Sequence, residues 1–399
     1  MAEMKNVPAI RFKGFNSIWN VSKLEDFGIA TGGTSIESEF SDNGKYKVIS
    51  IGSYSENSTY TDQGIRAIES EKTIGRVLNK NDLAMVLNDK TLSGRIIGRV
   101  LQIENDDTYV YNQRTQRIEP IKDKYDSVFL YQLLNAPFIR KKIIRSSQGN
   151  TQIYVNWSKI KDLIYLVPVL QEQTQIGSYF QHLDKLIRLH QAKVNKLTNL
   201  KKAMLEKMFP KPGADVPEIR FKGFAGAWEK REINTLADRH DNLRIPITAA
   251  NRTPGPVPYY GANGIQDYVD GYTHEGEFIL IAEDGANDLK NYPVQYVNGK
   301  IWVNNHAHVL QGKNMIACNL FLKYAFSQVN IEPFLVGGGR AKLNAETMMK
   351  IEMPVPESID EQEKIGTYFQ NLDKTIALHQ TELEKLNHLK KACLEKMFV

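Results

Sequence analysis

Residues 171–209 read QEQTQIGSYFQHLDKLIRLHQAKVNKLTNLKKAMLEKMF, and residues 360–398 read DEQEKIGTYFQNLDKTIALHQTELEKLNHLKKACLEKMF. The two stretches align without a gap and are identical at 25 of 39 positions. A repeat of this length decides how the chain is organised, because repeated sequence predicts repeated structure.

Apolar residues in both copies recur at alternating steps of four and three. This heptad spacing is typical of long helices that pack along a seam. It predicts two long helices packed on each other; the alternative is two separate surface helices, each covering its own domain. The seam positions are Ile176, Phe180, Leu183, Ile187, His190, Val194, Leu197, Ile365, Phe369, Leu372, Ile376, His379, Leu383 and Leu386.

Length and composition indicate an ordinary cytoplasmic protein with two domains. The chain has 399 residues, 42% hydrophobic and 24% charged, with no apolar run of the ~20 residues that span a bilayer. Its start, MAEMKNVPAIRF, lacks the apolar core of a signal peptide. Cys318 and Cys393 lie too far apart in sequence for a disulfide framework or a zinc knuckle. The net charge of +5 is compatible with nucleic acid, although many enzymes share it.

A second repeat opens each half of the chain. Residues 7–19 read VPAIRFKGFNSIW and residues 216–228 read VPEIRFKGFAGAW, with nine of 13 positions identical. The two repeats predict a first globular unit at 1–170, a helix at 171–209, a proline-containing linker at 210–215, a second unit at 216–359 and a helix at 360–399.

The globular units resemble each other less than the helices do. YNQRTQRI (111–118) aligns with VNNHAHVL (303–310), and FLYQLL with FLKYAF, both at an offset of 192. We therefore predict one fold with two different surfaces; the alternative is drift after duplication. Predicted strands are 47–51, 83–87, 96–103, 109–117, 257–260, 278–282, 294–297 and 301–310, and predicted short helices are 128–144 and 320–329.

No catalytic motif is found in the sequence. It lacks a phosphate-binding loop, a Gly-rich nucleotide turn, an Asn/Asp-Pro-Pro-Tyr tetrapeptide, GxSxG and HExxH. His306 and His308 alternate on a predicted strand and so face one side, where packing or hydrogen bonding is favoured over a metal site. Glu283 and Asp284 lack the acid-x-Lys pattern of a nuclease. The sequence predicts no catalytic residue and no metal.

Residues 111–117 and 303–308 concentrate the side chains that read base edges, because Arg pairs with guanine, and Asn or Gln with adenine. Basic and Gly-rich loops in the same units could approach a phosphate backbone. A solvated polar strand edge is the alternative. The candidate DNA-binding residues are Lys90, Arg95, Asn112, Gln113, Arg114, Thr115, Arg117, Gln148, Thr151, Tyr260, Asn263, Asn304, Asn305, His306, His308 and Arg340.

The chain resembles the specificity subunits of type I restriction–modification enzymes. The residues that carry the resemblance are VPAIRFKGF and VPEIRFKGF with Trp19 and Trp228, the EQxxIGxYF motifs at 172–180 and 361–369, and LKKAMLEKMF and LKKACLEKMF. YYGANG (259–264) and WVNNHAHV (302–309) are similar to segments of the family's target-recognition domains.

The resemblance implies an α+β chain in which two mixed α/β target-recognition domains are separated by two long antiparallel coiled-coil helices, with a pseudo-twofold internal repeat. Each domain would read one half of an asymmetric double-stranded DNA site. The partners would be two methyltransferase subunits, which use S-adenosylmethionine, and restriction subunits, which use ATP and Mg²⁺. This chain would hold no cofactor and would not be an enzyme.

Two expectations concern the helices. Apolar residues off the seam predict docking of the methyltransferase subunits, with Tyr179 and Tyr368 as the leading positions and Leu189 and Leu378 among the others. Full overlap of the antiparallel seams predicts facing residues whose numbers add to about 566, which places His190 beside Ile376. The alternative functions are a stand-alone bivalent DNA-binding regulator and an enzyme with an unrecognised site.

Overall fold

The computed structural model describes residues 7–90, 93–337 and 341–399, which form two compact units. Unit 1 comprises the chain up to His190 together with Glu382–Val399, and unit 2 comprises Gln191–Thr381. The long helices run from Leu170 to Met208 and from Ile359 to Met397, within two residues of the predicted ends. Each unit therefore takes part of both helices, whereas the sequence predicted whole helices as separate segments.

Unit 1 contains two four-stranded sheets. One has the order Gly28–Gly32, Thr115–Pro120, Leu83–Val86, Val100–Gln102, and all its pairs are antiparallel. The other has the order Arg66–Ala67, Tyr46–Ile49, Tyr109–Tyr111, Val77–Leu78, with a parallel central pair. Two short pairs join Asn20–Lys23 to Ile164–Val167 and Asn88–Asp89 to Ile153–Tyr154. The short helices are Glu71–Ile74, Ser127–Asn135, Pro137–Arg145 and Trp157–Ile160.

Unit 2 is built around one six-stranded sheet. Its strand order is Ala237–Arg239, Ala307–Gly312, His274–Ala282, Val294–Val303, Pro254–Gly261, Gly264–Val269. The smaller pairs are Glu229–Glu232 with Glu352–Val355, and Leu335–Val336 with Lys342–Leu343. The short helices are Ile233–Leu236, Asn319–Phe326 and Ala345–Met349.

A central strand of each main sheet is buried on both faces. In Leu83–Val86, Leu83 and Met85 join one apolar cluster while Ala84 and Val86 join another. Along His274–Ala282, Ile279 and Ile281 likewise face one cluster, and Phe278 and Leu280 face the opposite one. Alternate side chains point to opposite faces of a strand, so each of these sheets separates two cores.

Three predicted elements are divided in the structure. The predicted strand 109–117 is broken by a turn at 112–114, and 301–310 by a turn at 304–306. His306 therefore lies in a turn and not on a strand, so the prediction that it faces the same side as His308 is wrong. The predicted helix 128–144 breaks before Pro137, because proline cannot donate a backbone hydrogen bond.

The repeated segments 7–19 and 216–228, which we call straps, bind the long helices in the same way. The guanidinium of Arg11 donates to both carboxylate oxygens of Glu172 at 2.6 and 2.7 Å, and Arg220 does the same to Glu361. Both glutamates are fully buried. The amides of Ile10 and Ile219 donate at 2.9 Å to carbonyls in the last turns of the long helices, those of Lys396 and Lys207.

The start of each long helix packs closely on the first turn of a short helix. A Cβ at Gly177 would lie 2.9 Å from the Phe129 nitrogen, and one at Gly366 would lie 2.8 Å from the Phe321 nitrogen. One turn earlier in each long helix, the side-chain amide of Gln173 or Gln362 bonds three backbone groups. Two of them lie in the loop before the short helix and one lies just before the long helix. Glycine and a buried glutamine are thus required at equivalent places in both repeats.

Aromatic residues at the helix ends complete the cores. In unit 1, Phe398 stacks on Phe180 with ring centroids 5.6 Å apart and also contacts Phe129. In unit 2, Phe209 contacts the rings of Phe369 and Phe321. The fourteen predicted seam residues are all buried or half-buried.

The helix segments within each unit run antiparallel but in a different register from the predicted one. Asp184 pairs with Lys390 in unit 1, and Lys201 pairs with Asp373 in unit 2. The residue numbers of each pair add to 574 and not 566, so the predicted register is wrong for the helix segments within each unit. The contact of His190 with Ile376 joins residues of different units and stays a prediction. The prediction assumed the register in which the two seams overlap fully. In the structure the helices are shifted from that register, and Phe398 and Phe209 pack in the cores of the units.

No helix among the described residues is long and apolar enough to cross a membrane.

The Arg220–Glu361 pair provides a test of the strap. Replacing Arg220 with Met leaves a buried carboxylate without its partner, and we expect unit 2 to lose about 3–5 kcal/mol of stability in urea unfolding. Lys222→Met, which removes an exposed cation of the same strap, should change stability by less than about 0.5 kcal/mol. A loss below about 1 kcal/mol for Arg220→Met would show that the pair does not hold the strap.

Candidate nucleic-acid interface

Three segments of unit 1 meet at the residue where a core strand ends. The carbonyl of Arg114, in the turn 112–114, accepts from the amide of Leu87 at 2.8 Å. The carbonyl of Leu87 accepts from the amide of Val155, also at 2.8 Å. The structure thereby joins the turn to the segment 87–90 and to the hairpin 148–154. We call these three segments interface 1.

Unit 2 repeats this backbone arrangement with other side chains. The carbonyl of His306 accepts from the amide of Glu283 at 2.8 Å, and the carbonyl of Glu283 accepts from the amide of Leu343 at 2.7 Å. Asp284 pairs with Lys342 through the backbone, as Asn88 does with Tyr154 in unit 1. The turn 304–306, the segment 283–287 and Lys342–Leu343 form interface 2, in which His306 corresponds to Arg114.

The tip of interface 1 carries Arg114 in a left-handed conformation, with φ of 70°. A side chain with a Cβ is strained there, and such strain concentrates at functional sites. The side chain is exposed, and its guanidinium has no partner within residues 7–90, 93–337 and 341–399. Nearby Gln113 is also exposed and donates to Glu37 at 3.0 Å.

Hydrogen bonds of Asn112 and Glu37 support this turn on the side of the domain interior. The buried Asn112 accepts from the amide of Ile36 at 3.1 Å and donates to Glu37 at 2.9 Å. Hydrogen bonds lower the pKa of Glu37 to about 2; the bond from Ser35 contributes most, and the bond from Asn112 is second. Glu37 therefore remains an anion that accepts the amide protons of Asn112 and Gln113 at neutral pH.

Three predicted DNA contacts of unit 1 do not fit the structure, because their side chains are bound inside the domain. Asn112 supports the turn, and Thr115 is 1% exposed beneath Tyr54. Arg117 pairs with Asp82 at 2.8 Å and with Glu119 at 3.0 Å. Polar residues on a strand look alike in sequence whether they point outward or into a polar cluster.

The same correction applies to two residues of unit 2. Asn304 is buried and accepts from the amide of His306 at 2.8 Å. His308 is 1% exposed; its Nδ1 lies 2.7 Å from Asp241 and its Nε2 lies 2.9 Å from the carbonyl of Leu343.

His308 belongs to an ion-pair network in which cations already neutralise the acids. Asp241, Glu283 and His308 lie close enough together to hold a metal. Glu283, however, pairs with Arg244 at 2.7 Å and with Lys342 at 3.0 Å. Those contacts occupy the carboxylate and fix interface 2 to the sheet.

The other candidates have mixed surroundings. Lys90, Gln148, Thr151 and Asn305 are exposed on the interfaces. Arg95 is exposed and pairs with Glu56 at 3.1 Å. Three further candidates complete the set: Tyr260 is half-buried, Asn263 bridges Gly285 and Asn287 at 2.9 Å, and Arg340 lies outside the described residues.

The sequence analysis did not identify two residues that contribute to the interfaces. Asp284 accepts from His306 Nδ1 at 2.6 Å, and Lys342 reaches the same interface from a later hairpin. The sequence flagged Asp284 only as part of an acidic pair, because its contact with His306 spans 22 residues. Arg140, in one of the basic segments near interface 1, is bound inside unit 1: it donates to the carbonyls of Gly94 and Ile97, and burial lowers its pKa to about 10.

The conformation of Arg114 gives a test that is independent of DNA. Arg114→Gly should stabilise unit 1 relative to Arg114→Ala by about 1 kcal/mol, because glycine adopts positive φ without strain. Both variants remove the guanidinium, so the comparison isolates the backbone, and thermal unfolding measures it. Equal stability of the two variants would contradict the strained conformation.

Comparisons with known proteins agree with this architecture. The family model described as the type I restriction modification DNA specificity domain matches residues 16–199 and 226–388. A Haemophilus influenzae protein named as a putative type I restriction enzyme specificity subunit is 48% identical over 128 residues, 32% of this chain and only 33% of that protein's own length. The putative MjaX specificity subunit of Methanocaldococcus jannaschii is 23% identical over 290 residues, 69% of this chain and 68% of that protein.

The fold is also found in a solved structure. The crystal structure of the type I restriction–modification S subunit from M. genitalium superposes with a TM-score of 0.73 over 98% of this chain and 99% of that one, at 16% identity. Since the family model matches most of the chain in two successive regions, the chain belongs to the type I restriction–modification specificity subunits and carries two specificity domains in tandem.

Proposed function

We propose that each unit reads one half of a bipartite, asymmetric DNA site and that the chain itself performs no catalysis. The observation that carries the proposal is the pair of interfaces, in which the same backbone bonds present different side chains. Interface 1 offers Gln113, Arg114 and Lys90, and interface 2 offers Asn305 and His306. One scaffold with two different tips suits the reading of two different base sequences.

The chemistry of these tips suits double-stranded DNA. Arginine and amide side chains can bind base edges bidentately in the major groove, and lysines add contacts to phosphates. Lys90 and the exposed hairpin residues Gln148 and Thr151 flank the tip of interface 1. The hairpin could follow the backbone while the tip contacts a base.

The long helices and the straps are proposed to set the spacing of the half-sites and to dock methyltransferase subunits. Leu189 and Leu378, at equivalent positions of the repeat, are 56% and 60% exposed. Leu389 in unit 1 and Leu200 in unit 2 are also exposed. Two similar apolar surfaces fit two identical partners. S-adenosylmethionine, ATP and Mg²⁺ would bind to partner subunits.

Tyr179 and Tyr368, the docking residues predicted from sequence, are less suitable probes. Each is half-buried under a strap, with Tyr179 against Phe12 and Tyr368 against Phe221. Charged substitutions there would disturb the strap as well as any partner. The exposed leucines separate the two effects.

The alternative function, a stand-alone bivalent DNA-binding regulator, needs no partner for its biological effect. The docking function is supported by the exposed leucines, because they recur at equivalent positions of the two repeats and so offer the same contact to each of two identical partners. Methyl transfer or DNA cleavage by the purified chain alone would refute the proposal that it is non-catalytic.

Exchange of a recognition unit tests half-site reading. Residues 20–165 are replaced by the equivalent unit of a relative with another target, and the variant is co-expressed with its methyltransferase partners. Mapping methylated bases in the host genome should show one half of the target changed and the other retained. A change in both halves, or in neither, would contradict modular reading.

Charged substitutions test docking. Leu189→Glu together with Leu378→Glu should reduce co-purification of the methyltransferase subunits at least about tenfold while leaving the melting temperature of the chain unchanged, because both residues face solvent. Ile29→Glu, at a residue 67% exposed outside the helices and straps, is the matched control. Unaltered assembly by the double variant would place the docking surface elsewhere.

A further inference from the structure

The tips of the two interfaces differ in the direction of the hydrogen bonds that they can make. Arg114 and His306 hold equivalent positions, because each carbonyl accepts from the first residue of a strand-end segment at 2.8 Å. One position carries a permanent cation and the other an imidazole, which can donate or accept. This inference rests on the proposed reading of DNA and specifies what each tip recognises.

Arg114 can only donate. A guanidinium has five N–H donors and no acceptor. The neighbouring carboxylate Glu37 is engaged by Ser35, Asn112 and Gln113. The guanidinium is therefore available for a base that presents acceptors, and guanine presents two, N7 and O6, on its major-groove edge.

His306 is fixed in one tautomer by Asp284. Its Nδ1 lies 2.6 Å from the carboxylate of Asp284, and because a carboxylate only accepts, Nδ1 carries the proton. In the neutral ring, Nε2 then holds a lone pair. Nε2 has no hydrogen-bond partner among the described residues and is not buried. It is therefore accessible to an incoming donor.

Asp284 is itself held in place, which makes it a positioning residue. Its backbone bridges to Lys342, and its side chain is 21% exposed against 36% for His306. The carboxylate thus lies behind the imidazole, as in sites where a second group orients a histidine.

We propose that the two half-sites have opposite hydrogen-bond polarity at the positions facing these tips. Arg114 reads the acceptor edge of a guanine in the first half-site. His306, oriented by Asp284, reads an exocyclic amino group, N6 of adenine or N4 of cytosine, in the second. These two amino groups are the donors that bases expose in the major groove.

The test uses the full chain assembled with its methyltransferase subunits, on duplexes that contain the methylation-mapped target, at pH 8.5. In the second half-site, each adenine is replaced in turn by purine and each cytosine by 2-pyrimidinone, which lack the amino group. In both half-sites, each guanine is replaced in turn by 7-deazaguanine, which lacks the N7 acceptor. We expect about a tenfold loss of affinity at one position of each half-site for the wild-type complex.

Variants assign each loss to its residue. His306→Ala should abolish the discrimination at the second half-site only, and Arg114→Ala at the first only. Asp284→Ala should reduce the discrimination at the His306 position, whereas Asp284→Asn, which keeps an acceptor oxygen, should retain most of it. If Asp284 had a purely structural role, Asp284→Ala would lower the affinity for all duplexes equally. The ratio of the affinities for unmodified and modified duplexes would then stay the same. Circular dichroism and melting temperature confirm that each variant is folded.

Three outcomes overturn the inference. A uniform loss across all duplexes for Arg114→Ala or His306→Ala would make that residue a phosphate contact. If 7-deazaguanine in the second half-site weakens binding through His306, and removal of an amino group there does not, then Nε2 donates a hydrogen bond and does not accept one. If the ratio of the affinities for unmodified and modified duplexes is the same for Asp284→Ala and wild type, Asp284 does not take part in recognition. Absence of any sequence-specific binding would instead refute the proposed function.

Discussion

The buried pairs Arg11–Glu172 and Arg220–Glu361 are the interaction on which the rest of the structure depends. Each places a charged, bidentate contact where a strap meets the first turn of a long helix. A fully buried carboxylate has few tolerable partners, so the pair restricts the strap to one position. From that position the strap reaches the last turn of the other long helix, through Ile10 or Ile219. Strap, helix start and helix end are thereby fixed together in each unit.

The sequence predicted the features of the fold that are visible in short stretches of the chain, and it did not predict those that depend on contacts between distant residues. Both helices, the straps and the likeness of the two halves are predictable from repeats and heptad spacing, which neighbouring residues determine. The seam register was not predicted, because it depends on the packing of Phe398 and Phe209, whose contacts with Phe180 and Phe369 span more than a hundred residues. The break at Pro137 was readable from sequence, yet an apolar pattern on both sides of it suggested one helix.

The two segments singled out in the sequence do form exposed turns, but only some of the residues named in them lie at the surface. YNQRTQR and VNNHAH do form the turns, and Gln113, Arg114, Asn305 and His306 lie at their tips. The sequence could not separate them from the residues on either side, which are buried or bound inside the domains: Asn112, Thr115, Arg117, Asn304 and His308. That separation requires the strand pairing and the left-handed turn at Arg114. Asp284 and Glu37 act through contacts that no local pattern encodes.

The division of both long helices between the units has a consequence for synthesis. The core of unit 1 contains Phe398 and Met397 next to Ile176 and Phe180, residues made more than 200 positions earlier. Proteins usually complete one domain before the ribosome finishes the next. Here unit 1 cannot close its core until the second long helix has emerged, whereas unit 2 contains no residue later than Thr381. The half of the chain that is translated first is therefore the half that finishes folding last.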